Sequence, residues 1–176
     1  MDRVATSKFL SYVLRHHPAA IGITLDEAGW VAVDALLDAL RAHGRPLERE
    51  QLEEIVRTSD KQRFALEHGR IRAHQGHSVA VDLALSPREP PLTLFHGTVA
   101  RFLDSIRREG LRRGARTHVH LSADFVTAQS VGARRGAAVV LVVDAASMHR
   151  EGHDFSVTEN GVWLVEAVPA RFISFP

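Results

Sequence analysis

The sequence predicts an α+β protein built from two lobes, because the pattern of secondary structure changes near the middle of the chain. Residues 1–85 show three amphipathic helices followed by a β-hairpin, an order typical of a winged-helix-like lobe. Residues 92–176 show five strands interrupted by two helices, which indicates a β-rich lobe. The proline-rich segment 86–91 between them favours a linker.

The first helix is predicted from apolar residues that recur at helical spacing between positions 9 and 14. We expect Thr6 or Ser7 to cap its start, because a hydroxyl there can accept a backbone N–H. His17 is expected to be its last residue, because Pro18 cannot continue a helix.

The remaining elements of the first lobe follow from periodicity and turn residues. A turn at 27–29 precedes Trp30, which we expect to anchor the core. We predict a short strand at 23–25, a helix from about 33 that Gly44 ends, a helix around 52–56, and hairpin strands at 63–66 and 70–73. Alternation along the first hairpin strand puts Phe64 inward and Arg63 and Ala65 on the opposite face.

In the second lobe, short runs rich in branched apolar residues predict strands, and two longer periodic runs predict helices. The strands are expected at 92–96, 118–122, 138–144, 162–168 and 172–175, with helices near 102–109 and 124–135.

Composition limits the classes of protein that fit. The chain has 176 residues, 45% hydrophobic and 24% charged, which is ordinary for a globular protein. The absence of cysteine excludes disulfides and thiolate metal sites, and it favours a reducing compartment. The start lacks a signal-peptide pattern, and the longest apolar run, 137–143, is too short to cross a bilayer. We expect a cytoplasmic monomer with no membrane partner.

Charged residues are distributed unevenly along the chain, although the net charge is only +1. Residues 101–116 carry six arginines against two acids, and residues 61–77 carry four Lys or Arg, three His and one acid. A local excess of positive charge can attract an anionic ligand to one region of the protein. The alternative is a set of solvated basic helix faces.

Several catalytic classes are excluded by their missing motifs. No P-loop, dinucleotide fingerprint, G-x-S-x-G or H-E-x-x-H is present, which argues against a P-loop kinase and a dehydrogenase. His118 and His120 share one strand face and could hold zinc with Asp124. A satisfied pair of strand histidines is the favoured interpretation, and we expect no metal.

Three short segments place anion-binding or hydroxyl-binding groups at the ends of predicted elements. Arg15 and His16 stand side by side where the first helix must stop. One cation at a helix end is an ordinary cap worth up to about 1 kcal/mol, but two together indicate a phosphate pocket. Arg63 opens a strand, where a guanidinium is held rigidly enough for bidentate phosphate binding. His96-Gly97-Thr98 ends a strand, where it can hold a ribose or an amide.

Together, these segments resemble the RNA 2′-phosphotransferase family (KptA type) over nearly the whole chain. The resemblance is carried by segments in a fixed order: 7–16 (SKFLSYVLRH), 29–30 (GW), 59–64 (SDKQRF), 71–73 with 75–78 (IRA, QGHS), 95–98 (FHGT), 119–122 (VHLS), 131–134 (VGAR) and 160–164 (NGVWL).

The resemblance implies a fold, a reaction and a set of site residues. The C-terminal lobe is expected to be like an ADP-ribosyltransferase and to bind NAD⁺, which is consumed, and the N-terminal lobe to bind the RNA phosphate. An internal RNA 2′-phosphate, such as a tRNA splice-junction phosphate, attacks the nicotinamide ribose and releases nicotinamide. The ribose 2″-hydroxyl then attacks phosphorus, which gives 2′-hydroxyl RNA and ADP-ribose 1″,2″-cyclic phosphate. The catalytic tetrad falls on Arg15, His16, Arg63 and Arg116, and the NAD⁺ side falls on His96, Gly97, Thr98, His120, Ser122 and Arg134.

Two other functions remain open at this point. The first is an ADP-ribosyltransferase that caps terminal phosphates of RNA or DNA. The second is a non-enzymatic winged-helix nucleic-acid-binding protein, which would not need NAD⁺.

Overall fold

The structure, a computed structural model, describes residues 2–59 and 61–176. Met1 and Asp60, which belongs to one of the segments that carry the resemblance, lie outside the described residues. Two compact units divide between Ala84 and Leu85, and each mixes helices with antiparallel strands around its own apolar core. The α+β class is therefore confirmed.

The first unit packs three helices against a three-stranded sheet of order β1-β3-β2. A 3-10 helix, Pro18–Ile21, follows the first helix. The elements are α1 Arg3–Arg15, β1 Val31–Ala32, α2 Val33–Ala42, α3 Arg49–Arg57, β2 Phe64–Glu67 and β3 Arg70–Ala73.

The start of α1 differs from the prediction. The cap is Asp2, whose Oδ1 accepts the N–H groups of Val4 and Ala5 at 3.0 and 3.1 Å. Expecting Thr6 or Ser7 to cap was wrong because the helix begins upstream of them, and a carboxylate satisfies its first amides. The helix ends at Arg15, two residues earlier than predicted, since His16 has a non-helical φ of −127°.

The hairpin is confirmed, with Phe64 opposite Ala73 and Glu67 opposite Arg70 across a turn at Gly69. The strand predicted at 23–25 is wrong, because that segment forms no ladder and β1 takes the place beside β3. Ala65 is buried as well as Phe64, so the strand start is covered on both faces.

The second unit is built on three small antiparallel sheets, of order β11-β7-β4, β6-β9-β8 and β10-β5. Three 3-10 helices, Ala100–Phe102, Ala133–Arg135 and Ala170–Phe172, connect them. The elements are β4 Thr93–Val99, α4 Leu103–Glu109, β5 Leu111–Arg112, β6 Val119–Leu121, α5 Phe125–Gly132, β7 Ala138–Asp144, α6 Ala145–Arg150, β8 Ser156–Val157, β9 Trp163–Val165, β10 Ala167–Val168 and β11 Ile173–Ser174.

Most elements of this unit follow the predictions, and β7 has the predicted bounds. The run 162–168 divides into β9 and β10, and the last strand is shortened by the 3-10 helix before it. Helix α6 was not predicted from the sequence, because this helix has only six residues. The feature that indicates it is Asp144, whose carboxylate accepts the N–H of Ser147 at the start of the helix. The segment predicted as a linker lies against this unit, where the Arg88 N–H donates to the Phe155 carbonyl. No helix among the described residues is long and apolar enough to span a membrane.

Two glycines allow α5 to lie directly on β4. A Cβ on Gly97 would overlap the backbone carbonyl of Ala128, and one on Gly132 would lie 2.9 Å from the Thr98 carbonyl oxygen. Neither glycine has a positive φ, so the requirement is close approach of two backbones. This packing fixes the strand that carries His96.

Buried His77 is an unusual component of the first unit. The side chain is inaccessible to solvent, and neither ring nitrogen has a hydrogen-bond partner among the described residues. Burial, followed by the charges of Arg15, His16 and Arg72, lowers the pKa of His77 from 6.5 to about 4. The imidazole is therefore neutral at physiological pH.

Gly97→Ala is expected to reduce the free energy of unfolding by roughly 1–3 kcal/mol, because the new methyl group must push α5 away from β4. Chemical denaturation of the variant measures this loss. Ser130→Ala, on the exposed side of the same helix, should change stability by less than about 0.5 kcal/mol. Equal stability of Gly97→Ala and the unsubstituted protein would contradict the close approach.

The lowered pKa of His77 predicts a pH dependence of stability. In the unfolded chain His77 binds a proton below about pH 6.5, whereas in the folded chain it does so only below about pH 4. Stability from this group therefore decreases by about 2 to 3 kcal/mol as pH falls from 7.5 to 4.5. Denaturation at both pH values should show a smaller decrease for His77→Phe, whereas the exposed His68→Asn should behave like the unsubstituted protein.

Candidate functional site

Arg15 and His16 lie at the end of α1 and are half-buried. The apolar face of α1, which includes Leu10 and Leu14, is fully buried in the first-unit core. That packing fixes the helix axis, and the chain leaves the helix at His16, whose φ is non-helical. The Tyr12 carbonyl accepts the N–H groups of both His16 and His17 at 3.0 Å, so the turn is well defined.

The loop after β3 lies on this helix end. The Arg15 carbonyl, one of those that a helix leaves without a helical partner, accepts the Ser78 N–H at 2.9 Å. The Ser78 hydroxyl is 2.9 Å from His16 Nδ1. Gly76 has a φ of +86° and no side chain, and a Cβ there would lie 3.7 Å from an Arg15 guanidinium nitrogen. Gly76 therefore accommodates Arg15 closely.

Arg63 is brought to the same place by the start of β2. Its carbonyl receives a long contact of 3.5 Å from the Arg15 guanidinium and accepts the His74 N–H at 3.0 Å. Its own guanidinium donates to the hydroxyl of buried Ser7 at 3.4 Å. Three of the four predicted catalytic residues, Arg15, His16 and Arg63, are thus gathered in one unit.

The second unit forms its own cluster around β4 and β6. Phe95 and Ser122 exchange backbone hydrogen bonds of 2.8 Å, which join the two strands. His96 Nδ1 is 3.0 Å from the His120 carbonyl; because a carbonyl only accepts, Nδ1 carries the proton and Nε2 keeps its lone pair. Burial lowers the pKa of His96, against the effect of that hydrogen bond, so its ring is neutral at pH 7.

Arg116 adds a cation to this cluster. Its guanidinium donates to His120 Nδ1 at 3.1 Å, which leaves a neutral His120 with its proton on Nε2. Burial, followed by the charges of Arg135 and Arg134, lowers the pKa of Arg116 below its ordinary range. The side chain still carries its charge at neutral pH, so three arginines share one area of the second unit.

The other residues predicted on the NAD⁺ side have different surroundings. Gly97 faces α5, and Thr98 is buried on the same strand, paired with Val139. Ser122 is half-buried beside β4, and Arg134 is exposed on the 3-10 helix after α5. Glycine at position 97 is therefore required by the packing of α5 on β4, independently of any ligand.

The histidine pair on β6 makes polar contacts instead of meeting a third ligand. His118 Nδ1 is 3.1 Å from the Thr117 hydroxyl. Asp124 caps α5, accepting the Thr127 N–H at 2.7 Å. Within residues 2–59 and 61–176, no group of three His, Asp or Glu side chains is placed to hold a metal ion.

Sequence reasoning gave no role to three residues that the structure places at these clusters. Ser78 contacts His16, His77 is buried near Arg15 and His16, and Arg135 acts on both His96 and Arg116. Ser78 and His77 lie in a quoted segment, so their signal was present. Arg135 adjoins the segment 131–134, but nothing local distinguishes it from a solvated arginine.

Comparison with known proteins identifies the family of this chain. The family model described as RNA 2′-phosphotransferase, Tpt1/KptA family, matches residues 1–167. A protein of Streptomyces coelicolor named "Probable RNA 2′-phosphotransferase" is 59% identical over 98% of this chain and 95% of its own length. Proteins of the same name from Pseudomonas aeruginosa (strain PAO1) and Rhodopirellula baltica are 57% and 53% identical, each over 98% of this chain and over 98% and 96% of their own lengths. Because the match runs almost from end to end, the chain belongs to the RNA 2′-phosphotransferase family, whose members are transferase enzymes.

Proposed function

We propose that this chain removes an internal 2′-phosphate from RNA, such as a tRNA splice-junction phosphate, by transferring it to NAD⁺. The observation that carries the proposal is the gathering of Arg15, His16 and Arg63 around one helix end in a chain of this family. Two guanidinium groups and an imidazole can bind a phosphate dianion through charge-assisted hydrogen bonds, which are stronger than hydrogen bonds between neutral groups.

We assign the two substrates to the two units. The first unit, a winged-helix-like lobe over residues 1–85, holds the RNA phosphate. The second, an ADP-ribosyltransferase-like lobe over residues 92–176, holds NAD⁺. Its neutral His96 and the cations Arg116, Arg134 and Arg135 fit a ligand that presents both ribose hydroxyls and a diphosphate.

The arginines act by neutralising phosphate charge. Arg15 and Arg63 bind the RNA 2′-phosphate and hold it in one orientation, and Arg116 stabilises the charge that develops during transfer. Each charge-assisted contact is worth roughly 1.5–3 kcal/mol. The contacts of Arg15 and Arg63 with backbone and serine oxygens hold these side chains in place before the substrate binds.

His16 donates a hydrogen bond to the phosphate or moves a proton during transfer. If the Ser78 hydroxyl donates to Nδ1, the proton of a neutral His16 is on Nε2, where it can serve the phosphate. Ser78 is therefore a positioning residue for His16. When bound, NAD⁺ supplies an electrophilic ribose carbon with nicotinamide as its leaving group.

The neutral His96 orients the NAD⁺ ribose. Nε2 is an acceptor because Nδ1 is committed to the His120 carbonyl, so it can receive a hydrogen bond from a ribose hydroxyl. His120 and Ser122 extend this polar edge from β6, and Arg134 reaches the same ligand from the end of α5.

The proposal is tested with a synthetic oligoribonucleotide that carries one internal 2′-phosphate. With NAD⁺ and no added metal, we expect 2′-hydroxyl RNA, nicotinamide and ADP-ribose 1″,2″-cyclic phosphate, identified by mass spectrometry. A stable ADP-ribosylated terminal phosphate as the sole product would instead support the capping activity. RNA binding that is indifferent to NAD⁺, with no product, would support a non-enzymatic binding protein.

Arg63→Ala is expected to reduce turnover of the 2′-phosphorylated RNA by about ten- to a hundredfold or more, since one charge-assisted phosphate contact is lost. Arg63→Lys should be intermediate, because an ammonium keeps the charge without the planar fork. Steady-state kinetics with saturating NAD⁺ gives these values. Arg57→Ala, an exposed arginine of the same unit, is the matched control; normal turnover by Arg63→Ala removes Arg63 from the site.

Ser78→Ala is expected to reduce kcat by roughly tenfold, because His16 loses the hydrogen bond at Nδ1, worth about 1 kcal/mol or more. Ser78→Thr restores the hydroxyl and should recover most of the activity. The KM for NAD⁺ should be the same in all three proteins. If Ser78→Ala and Ser78→Thr are equally impaired, loop geometry matters and the hydrogen bond does not.

A further inference from the structure

A row of aromatic and cationic side chains lies on the first unit and has no part in the mechanism above. The Arg45 guanidinium lies 4.3 Å from the centre of the Phe9 ring. The Phe9 and Tyr12 ring centres are 6.2 Å apart, and those of Tyr12 and His17 are 4.7 Å apart with 33° between the planes. We call these four residues the aromatic row.

The row leads to the proposed phosphate site. Tyr12 precedes Arg15 by three residues and His16 by four, the spacings at which side chains meet on one helix face. Its carbonyl holds the amides of His16 and His17. At 1.5 Å per residue, Phe9 lies roughly 9 Å along the helix axis from Arg15, so the row extends from the phosphate site by about one or two nucleotides.

The row is accessible to a ligand. The Tyr12 side chain is 43% exposed, and Arg45 and His17 are exposed too. Phe9 is half-buried and packs against the core, while the fully buried contacts of α1 are made by residues outside the row, among them Leu10 and Leu14. A cavity of about 190 Å³ opens beside the row and is lined by Thr6, Phe9, Leu40, Arg45, Pro46 and Leu47.

Aromatic faces interleaved with cations are the chemistry that proteins use for single-stranded RNA. Bases stack on the rings, while the cations neutralise the backbone. Lys8, exposed one helical turn before Tyr12, adds positive charge on the same side. A protein partner would not explain why this surface is continuous with a phosphate site.

We propose that the aromatic row binds the RNA next to the 2′-phosphorylated nucleotide, with a flanking base stacked on Tyr12 and His17 and a backbone phosphate at Arg45. This inference rests on the proposed function, because it takes Arg15 and His16 as the phosphate site. Stacking tolerates any base. The row therefore selects an RNA strand over a lone nucleotide and is indifferent to sequence.

The test compares 2′-phosphorylated oligoribonucleotides that have normal flanking nucleotides with others that are abasic on the 5′ side, the 3′ side or both. Tyr12→Ala should raise the KM for normal RNA about tenfold, the effect of losing one stacked base, with kcat at saturating RNA unchanged. Tyr12→Phe should keep the normal KM. On the RNA that is abasic on both sides, Tyr12→Ala and the unsubstituted protein should have equal KM values, and the single-sided substrates show which neighbour stacks.

Direct binding of fluorescently labelled RNA to the full chain, measured by anisotropy, gives a readout that does not need turnover. Val4→Ala, an exposed residue of α1 outside the row, is the control variant. A normal KM for Tyr12→Ala, or an equal increase on normal and abasic RNA, overturns the stacking proposal. If the unsubstituted protein removes no 2′-phosphate, the proposed function fails, and equal affinity of Tyr12→Ala and the unsubstituted protein for normal RNA then decides separately against the row.

Discussion

The end of α1 is the constraint on which the first unit's chemistry depends. A helix leaves its last carbonyls without helical partners, and here the Arg15 carbonyl accepts the Ser78 amide. This bond, with a longer one of 3.4 Å from the Val79 N–H to the same carbonyl, holds the loop after β3 against the helix end. As a result, Gly76 lies against the Arg15 guanidinium and the Ser78 hydroxyl reaches His16. The contacts that complete the helix end are therefore also the ones that bring the proposed phosphate-binding residues together.

Both clusters gather like charges, which is unfavourable before an anion arrives. In the first unit, Arg15 and Arg63 use carbonyl and hydroxyl oxygens as neutral acceptors, and His77 beside them stays uncharged. In the second unit, Arg116 donates to a neutral imidazole. These contacts hold the cations in place, so the phosphate that we propose as ligand would meet positive charge that is already oriented.

The second unit positions its polar edge through backbone packing. Because Gly97 and Gly132 have no side chains, α5 lies directly on β4. The same strand then presents His96 to the carbonyl of His120 on β6, which fixes the tautomer of His96. Gly97, which lies in a segment that resembles a ligand-binding motif, is thus explained by the packing of α5 on β4.

By itself, the sequence determined the α+β class, the hairpin, the extent of β7 and the family, because these follow from local periodicity, turn residues and ordered motifs. It also identified the residues that were later found close together at the end of α1. The folded structure was needed to show that Asp2 caps α1, that 23–25 forms no strand, and that Ser78 and His77 lie beside the proposed catalytic residues. Strand partners and tautomers depend on which distant groups meet in the folded chain. In the same way, buried His77 cannot be distinguished from a surface histidine by its local sequence.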